Sequence, residues 1–200
     1  MKKAVIKELY GESAESRTFK MEFRADDDSK TIEGYGAVFD SLSENLGGFR
    51  EKIEKGAFDD VLTDDVRALI NHDPNLLLAR TKSNTLKISV DDHGLRYSFT
   101  PPDTSYANDL KESITRGDLD QSSFAFTIEE DDWSEDDDGR VVRTIKKFRK
   151  LFDVSPVTYP AYQDATVAIR SMGQRKEDDL KAKAKHEAEA RERDLLLLNS

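Results

Sequence analysis

A histidine and a serine at the ends of predicted strands are the residues of this sequence best suited to chemistry. His72 lies in the run Asn71-His72-Asp73-Pro74, and Ser123 lies in the run 121–126. A serine hydroxyl attacks a carbonyl carbon only when a base removes its proton, and a neutral imidazole is the usual base. These residue types make Ser123 a candidate nucleophile and His72 its candidate general base. The alternative interpretations are a serine that only fills space and a histidine that is solvated or hydrogen-bonded structurally.

The residues around Ser123 alternate in type, as they do in a strand with two different faces. One face carries Phe124, Phe126 and Ile128, and the other carries Ser123, Ala125 and Thr127. We therefore expect the Ser123 hydroxyl on an exposed polar face. The neighbouring Ser122 would point toward the core with Phe124, which favours Ser123 as the nucleophile.

A third group should accept the second N–H of the imidazole and stabilise the imidazolium that forms during attack. Asp153 is the candidate, because the predicted strand 151–157 places Phe152 and Val154 on one face and Asp153 and Ser155 on the other. An ordinary solvated aspartate is the alternative interpretation of the same residue.

Composition limits the classes of protein to which this chain can belong. Its 200 residues, 36% hydrophobic and 36% charged, suit one domain with a core and polar appendages. The absence of cysteine excludes disulfides and thiolate catalysis, and the net charge of −10 disfavours nonspecific binding to nucleic acid. The opening Met1–Ile6 begins like a signal peptide, but Lys7 and Glu8 interrupt it, so we expect no secretion and no membrane span.

The elements around these residues are predicted to be mostly strands, with one helix starting near Tyr106 and stopped by Gly117. The predicted strands are 18–24, 32–39, 66–72, 86–90, 95–100, 123–128, 141–148 and 151–158. The acidic run Glu129–Gly139 lacks the ligand spacing of a calcium loop and is interpreted as a hairpin tip, so neither metal nor cofactor is expected. From about Gln174 the composition favours a charged helix outside the core.

The order of several short segments along the chain is more specific than any one of them. The segments are Gly34-Tyr35-Gly36-Ala37-Val38-Phe39, Gly56-Ala57-Phe58, Asn71-His72-Asp73-Pro74, 102–107, Arg116-Gly117-Asp118-Leu119, 121–126 and 153–161. This succession resembles the caudovirus prohead serine proteases from about Phe19 to Ser171. The resemblance implies a mainly β fold with flanking helices, built as a closed antiparallel barrel like that of herpesvirus assemblin. Together with the composition, it divides the chain into a polar N-terminal arm (1–17), a protease domain (18–171) and a charged helical tail (172–200).

The resemblance also implies the roles of individual residues. The histidine of the family's Asn-His-Asp motif, the base, falls on His72, and the serine before Phe-Gly-Phe, the nucleophile, falls on Ser123. The family's Gly-Met-Ser-Phe-Gly-Phe reads Gln-Ser-Ser-Phe-Ala-Phe here, so glycines are replaced at Gln121 and Ala125. Glycine permits backbone conformations and close approaches that these residues tolerate less well.

Three other residues compete with Asp153 for the third place. Asp73 fits less well because adjacent strand residues point to opposite faces. Assemblin uses a histidine instead, which here would be His93, in a predicted turn, or His186, in the charged tail. Both of these are expected to face solvent.

The function implied by the resemblance is a serine endopeptidase of procapsid maturation. Its substrates would be scaffold protein or the scaffolding segment of the major capsid protein, and it could also cut itself. It would work in the host cytoplasm, inside the assembling procapsid, and weak self-association is left open. The alternatives are an inactive procapsid component that keeps the protease fold, and another hydrolase using the same serine, although no Gly-x-Ser-x-Gly elbow supports the latter.

Overall fold

The computed structural model describes residues 2–20, 24–25, 31–159, 181 and 184–185, and the side chains of 6–19, 31–159, 181 and 184–185 within them. The described residues up to 159 form a mainly β fold, as expected, with two α-helices. The elements in chain order are α1 (Lys2–Tyr10), β1 (Glu15–Lys20), β2 (Arg24–Ala25), β3 (Ile32–Val38), β4 (Phe49–Ile53), β5 (Arg67–Ile70), β6 (Asp73–Arg80), β7 (Leu86–Val90), β8 (Gly94–Phe99), α2 (Ser105–Thr115), β9 (Gln121–Glu135) and β10 (Val141–Val157).

The strands pair in two sheets. One has the order β1-β9-β10-β5-β6, with β4 also paired to β10, and the other has the order β2-β3-β8-β7. Within the described residues these sheets do not join into one closed ring of paired strands, so the closed barrel that the resemblance implied is not found.

The sheet that contains β10 is mixed rather than antiparallel throughout, because β10 pairs in parallel with both β4 and β5. The 17-residue β10 gives one of its edges to β9, which pairs with it from Val141 to Val157. The other edge takes β4 beside 141–145 and β5 beside 153–154. The long strand β10 therefore pairs with three earlier strands, β4, β5 and β9.

An aromatic cluster fixes which way β9 faces. Phe124 and Phe126 stack with ring centroids 4.6 Å apart, and Phe148 lies 4.9 Å from Phe126 and 4.4 Å from Phe58. All four side chains are at most 1% exposed. Each such pair contributes about 0.5–1.5 kcal/mol beyond burial of its area, so the core side of β9 is strongly specified.

A second, smaller cluster covers the opposite face of β9. Ile6 and Ala14 pack against Ala125, and Tyr10 stacks on Phe152 with centroids 4.4 Å apart. Ile6 and Tyr10 are four residues apart, so both fall on one face of α1. The segment assigned to a polar arm by sequence therefore contains a helix packed on the sheet and the start of β1.

The predicted helix is present as α2. Ala107, Leu110 and Ile114 form its buried face, and Gly117 follows its end with a φ of +76°. Thr104 is the N-cap, but its side chain makes no capping hydrogen bond.

The predicted tail, 172–200, lies outside the described residues except for 181 and 184–185, which are helical. Among the helices that the structure describes, none has the length and apolar character needed to cross a bilayer.

Candidate active site

His72 lies in the two-residue turn that joins β5 to β6. Ile70 pairs with Asp73 across this turn, and both central residues have positive φ, +56° at Asn71 and +59° at His72. Positive φ at both positions is what a type I′ hairpin turn requires, and asparagine and histidine are among the side chains that tolerate it best. The turn thus presents the imidazole at the end of the hairpin.

Asn71 ties this turn to the end of β10. Its backbone N–H donates to the Pro156 carbonyl at 3.0 Å, and its side-chain oxygen accepts from the Thr158 N–H at 3.0 Å. Its amide nitrogen also donates to the Thr158 hydroxyl at 3.2 Å. The Asn-His-Asp motif alone does not indicate this anchoring role, because the role depends on Thr158, which is 87 residues away.

Ser123 lies on β9 between two strands, opposite Thr18 of β1 and Ser155 of β10. Its side of β9 is the one away from the aromatic cluster, as alternation predicted. The expectation of an exposed face is wrong, because Ser123 is 0% exposed and Ala125, two residues along the same face, is covered by Ile6 and Ala14.

Ser122 faces the other way. Its hydroxyl is hydrogen-bonded to that of the buried Tyr97 at 2.9 Å. The two adjacent serines are therefore equally buried but lie in different surroundings.

Asp153 reaches the Ser123 side of the sheet through an irregularity in β10. The register between β9 and β10 shifts between Leu151 and Asp153, so two residues of β10 oppose one of β9. Leu151 and Val154 consequently both enter the core, while Phe152 joins the cluster on the other face. The prediction that Phe152 shares a face with Val154 is therefore wrong.

The structure brings the three predicted residues into one hydrogen-bonded chain. His72 Nδ1 lies 2.6 Å from Asp153 Oδ1, and His72 Nε2 lies 2.8 Å from Ser123 Oγ. The side chains are 2%, 0% and 0% exposed for His72, Ser123 and Asp153. With the ring proton on Nδ1 donated to the carboxylate, Nε2 is free to accept the serine proton, which is the arrangement that nucleophilic catalysis by serine requires.

Comparison with known proteins identifies the family of this chain. The family model described as caudovirus prohead serine protease matches residues 19–179. The chain belongs to this family. It is 28% identical over 155 residues to the prohead protease of Enterobacteria phage HK97, covering 74% of this chain and 64% of that relative, so it spans less than two thirds of the relative's length. No solved structure gives a significant match.

The Asp153 carboxylate of this prohead protease family member has further neighbours. Ser155 donates a hydrogen bond from Oγ to Asp153 Oδ1 at 2.8 Å, whereas Oδ2 makes no hydrogen bond of ordinary geometry among the described residues. Burial, then the negative charge of Asp153 and a hydrogen-bond contact with its carboxylate, raise the pKa of Tyr10 above its ordinary value, and Arg67 opposes the shift. The Tyr10 phenol therefore remains protonated beside the carboxylate.

The other candidates for the group that orients His72 lie away from its ring or outside the described residues. His93 is exposed in the turn between β7 and β8, with its ring 4.7 Å from that of Tyr35. The Asp73 carboxylate accepts from the Asn75 N–H, within its own strand. His186 lies outside the described residues.

The acidic run 129–139 forms the last seven residues of β9 and the turn that follows, so it is more than a hairpin tip. Its Trp133 ring packs edge-on against Phe49 at 4.8 Å, and its Asp131 pairs with Arg143. In the part of the chain that the structure describes, no three potential ligands form a metal-binding group.

Proposed function

We propose that this chain is a serine endopeptidase that acts during phage procapsid maturation. The observation that carries the proposal is the continuous hydrogen-bonded chain from Asp153 through His72 to Ser123. Three side chains far apart in sequence meet in the order that the chemistry needs, in a member of a family of prohead serine proteases.

In the proposed reaction, Ser123 Oγ attacks the carbonyl carbon of the scissile peptide while His72 Nε2 takes its proton. His72 then gives that proton to the leaving amine, and an acyl-enzyme on Ser123 remains. Water, deprotonated by the same nitrogen, hydrolyses the ester and restores the serine. Asp153 holds the ring through Nδ1 and stabilises the imidazolium in both halves of the cycle.

The proposed substrates are scaffold protein, the scaffolding segment of the major capsid protein and the protease itself. The cleavage would take place inside the procapsid as it assembles in the host cytoplasm. Family membership and the similarity to a protein named prohead protease support this assignment. In this chain, 18–171 would be the protease domain, between an N-terminal arm (1–17) and a helical tail (172–200).

Co-expression with the capsid and scaffold proteins of the same phage tests the proposal. Ser123→Ala should abolish specific fragments, as measured by mass spectrometry, because it removes the nucleophile. Ser122→Ala is the matched control, since it removes an equally buried hydroxyl from the adjacent position. Fragments that persist in Ser123→Ala and disappear in Ser122→Ala would overturn the assignment.

The burial of Ser123 and His72 favours one second candidate, an assembly component that keeps the protease fold without activity. A nucleophile with 0% exposure cannot meet a peptide unless the surface over it opens. Reaction of the full chain with a fluorophosphonate separates the two candidates. Labelling at Ser123 supports the protease, and an unlabelled chain that still enters procapsids supports the assembly component.

A further inference from the structure

One oxygen of the Asp153 carboxylate accepts two hydrogen bonds. His72 Nδ1 lies 2.6 Å from Oδ1 and Ser155 Oγ lies 2.8 Å from the same atom. Ser155 is 0% exposed and is two residues beyond Asp153 on β10, so both side chains leave the same face of the strand. It also lies directly opposite Ser123 in the β9–β10 register.

The other oxygen of the carboxylate is not held in this way. Oδ2 is buried and makes no hydrogen bond of ordinary geometry among the described residues, although a hydrogen-bond contact between the Tyr10 phenol and the carboxylate contributes to the raised pKa of Tyr10. An aspartate carboxyl group turns easily about its last side-chain bond, because the preferences of that torsion are broad. Ser155, which donates to Oδ1 with good geometry, therefore favours the orientation in which that oxygen meets the imidazole.

We propose that Ser155 is a positioning residue that orients Asp153 toward His72 and so sets the reactivity of Ser123. This inference rests on the proposed function, in which Asp153 fixes the ring tautomer. The Ser155 hydroxyl touches no reacting atom and acts only through the carboxylate. Without it, the carboxylate turns, the Nδ1 hydrogen bond weakens, and the ring no longer presents Nε2 to the serine.

Ser122 is the matched control for a role beyond packing. It is also a serine with 0% exposure, and in the register of the two strands it pairs with Pro156, next to Ser155. Its hydroxyl meets the neutral Tyr97 hydroxyl rather than a carboxylate. Alanine at either position removes one buried hydroxyl from the same sheet, but only Ser155→Ala removes a hydrogen bond from the carboxylate.

The first measurement is the rate at which a fluorophosphonate labels Ser123 in the full chain. Ser155→Ala should slow labelling by about 10²-fold, the loss typical of a small misplacement of a reacting group. Ser155→Thr, which keeps a hydroxyl on the same carbon, should restore most of the rate, and Ser122→Ala should label as the parent does. Equal rates for the parent and Ser155→Ala would overturn the proposal.

The second measurement needs neither substrate nor probe. A proton shared between His72 Nδ1 and a carboxylate resonates at low field in proton NMR, and its loss in His72→Gly assigns it. Ser155→Ala should move this signal upfield while Ser122→Ala leaves it in place, and a signal unchanged in Ser155→Ala would refute the positioning role. If the parent showed no labelling and no proteolysis, the proposed function would fail, yet a signal moved by Ser155→Ala would still support the orientation of Asp153 by Ser155.

Discussion

His72 owes its position to a backbone conformation that most side chains avoid. Its φ of +59° follows one of +56° at Asn71, so consecutive residues without glycine occupy the left-handed region. Such a conformation costs a non-glycine residue about 1–2 kcal/mol. The pairing of β5 with β6 and the anchoring of Asn71 to Thr158 hold the turn against this cost.

The strain at His72 can be measured apart from its chemistry. His72→Gly and His72→Ala both remove the imidazole and leave Asp153 without its partner, but only glycine accepts the positive φ freely. We expect His72→Gly to be more stable than His72→Ala by about 1 kcal/mol in urea unfolding. Equal stabilities, or a more stable alanine variant, would mean that the turn relaxes once the ring is gone.

The three residues that the sequence singled out lie within hydrogen-bonding distance of one another, but their surroundings differ from the expectation. Alternation placed Ser123 correctly because the large Phe124 and Phe126 determine which face of β9 enters the core. It could not predict burial of the opposite face, since that depends on Ile6 packing from a separate element.

The bulge in β10 between Leu151 and Asp153 brings the Asp153 side chain to the site. Next to it, the Leu151 N–H donates to Asp64 Oδ2 at 2.9 Å, so a side chain from the loop before β5 satisfies a backbone donor there. A single sequence carries no clear signal for such a bulge, because an extra residue is defined only relative to the partner strand. For the same reason, the alternation predicted in 151–157 fails at Phe152.

Helix α1 should stabilise the protein through one face only. Ile6 is 3% exposed, whereas Leu9 on the same helix is 40% exposed. Ile6→Ala should lower the free energy of unfolding by about 2 kcal/mol or more, since it deletes a buried side chain and leaves a cavity.

Leu9→Ala on the same helix is the control, and its change should stay within about 0.5 kcal/mol. Urea unfolding followed by circular dichroism measures both variants. A loss of stability in Leu9→Ala as large as that in Ile6→Ala would show that α1 packs through a different face.

A largely buried group of charged side chains joins three strands that are distant in sequence. Arg17 of β1 binds both oxygens of Glu51 on β4, at 2.7 and 2.8 Å, and also Glu15 at 2.7 Å. Arg143 of β10 lies 3.3 Å from both glutamates. The sequence shows these only as ordinary charged residues in an acidic chain, because Glu15 and Arg143 are separated by 128 positions. Charge pairing of this kind follows from the sheet order and could not be predicted before it.

This group of charges predicts how stability depends on pH. Burial alone would raise the pKa of Glu15, but Arg17 and Arg143 outweigh it and hold the pKa below its ordinary value. The ionised carboxylate therefore stabilises the folded protein fully above the unfolded-state pKa of about 4.3, and this contribution is lost as the pH falls through the lowered folded-state pKa.

Glu15→Gln should lower the free energy of unfolding at pH 7 by about 2 kcal/mol, less than the ~3–5 kcal/mol of a fully broken buried pair, because Glu51 and Asp131 still pair with the two arginines. It should also flatten the decline in stability below about pH 4.3, because the titrating group is gone. Urea unfolding at a series of pH values measures both effects. Glu12→Gln, at a side chain 83% exposed and paired with Lys7, is the control and should leave the pH profile nearly unchanged. If Glu15→Gln kept the full acid-dependent loss of stability, other carboxylates would have to account for it, and the charge group joining β1, β4 and β10 would not be its source.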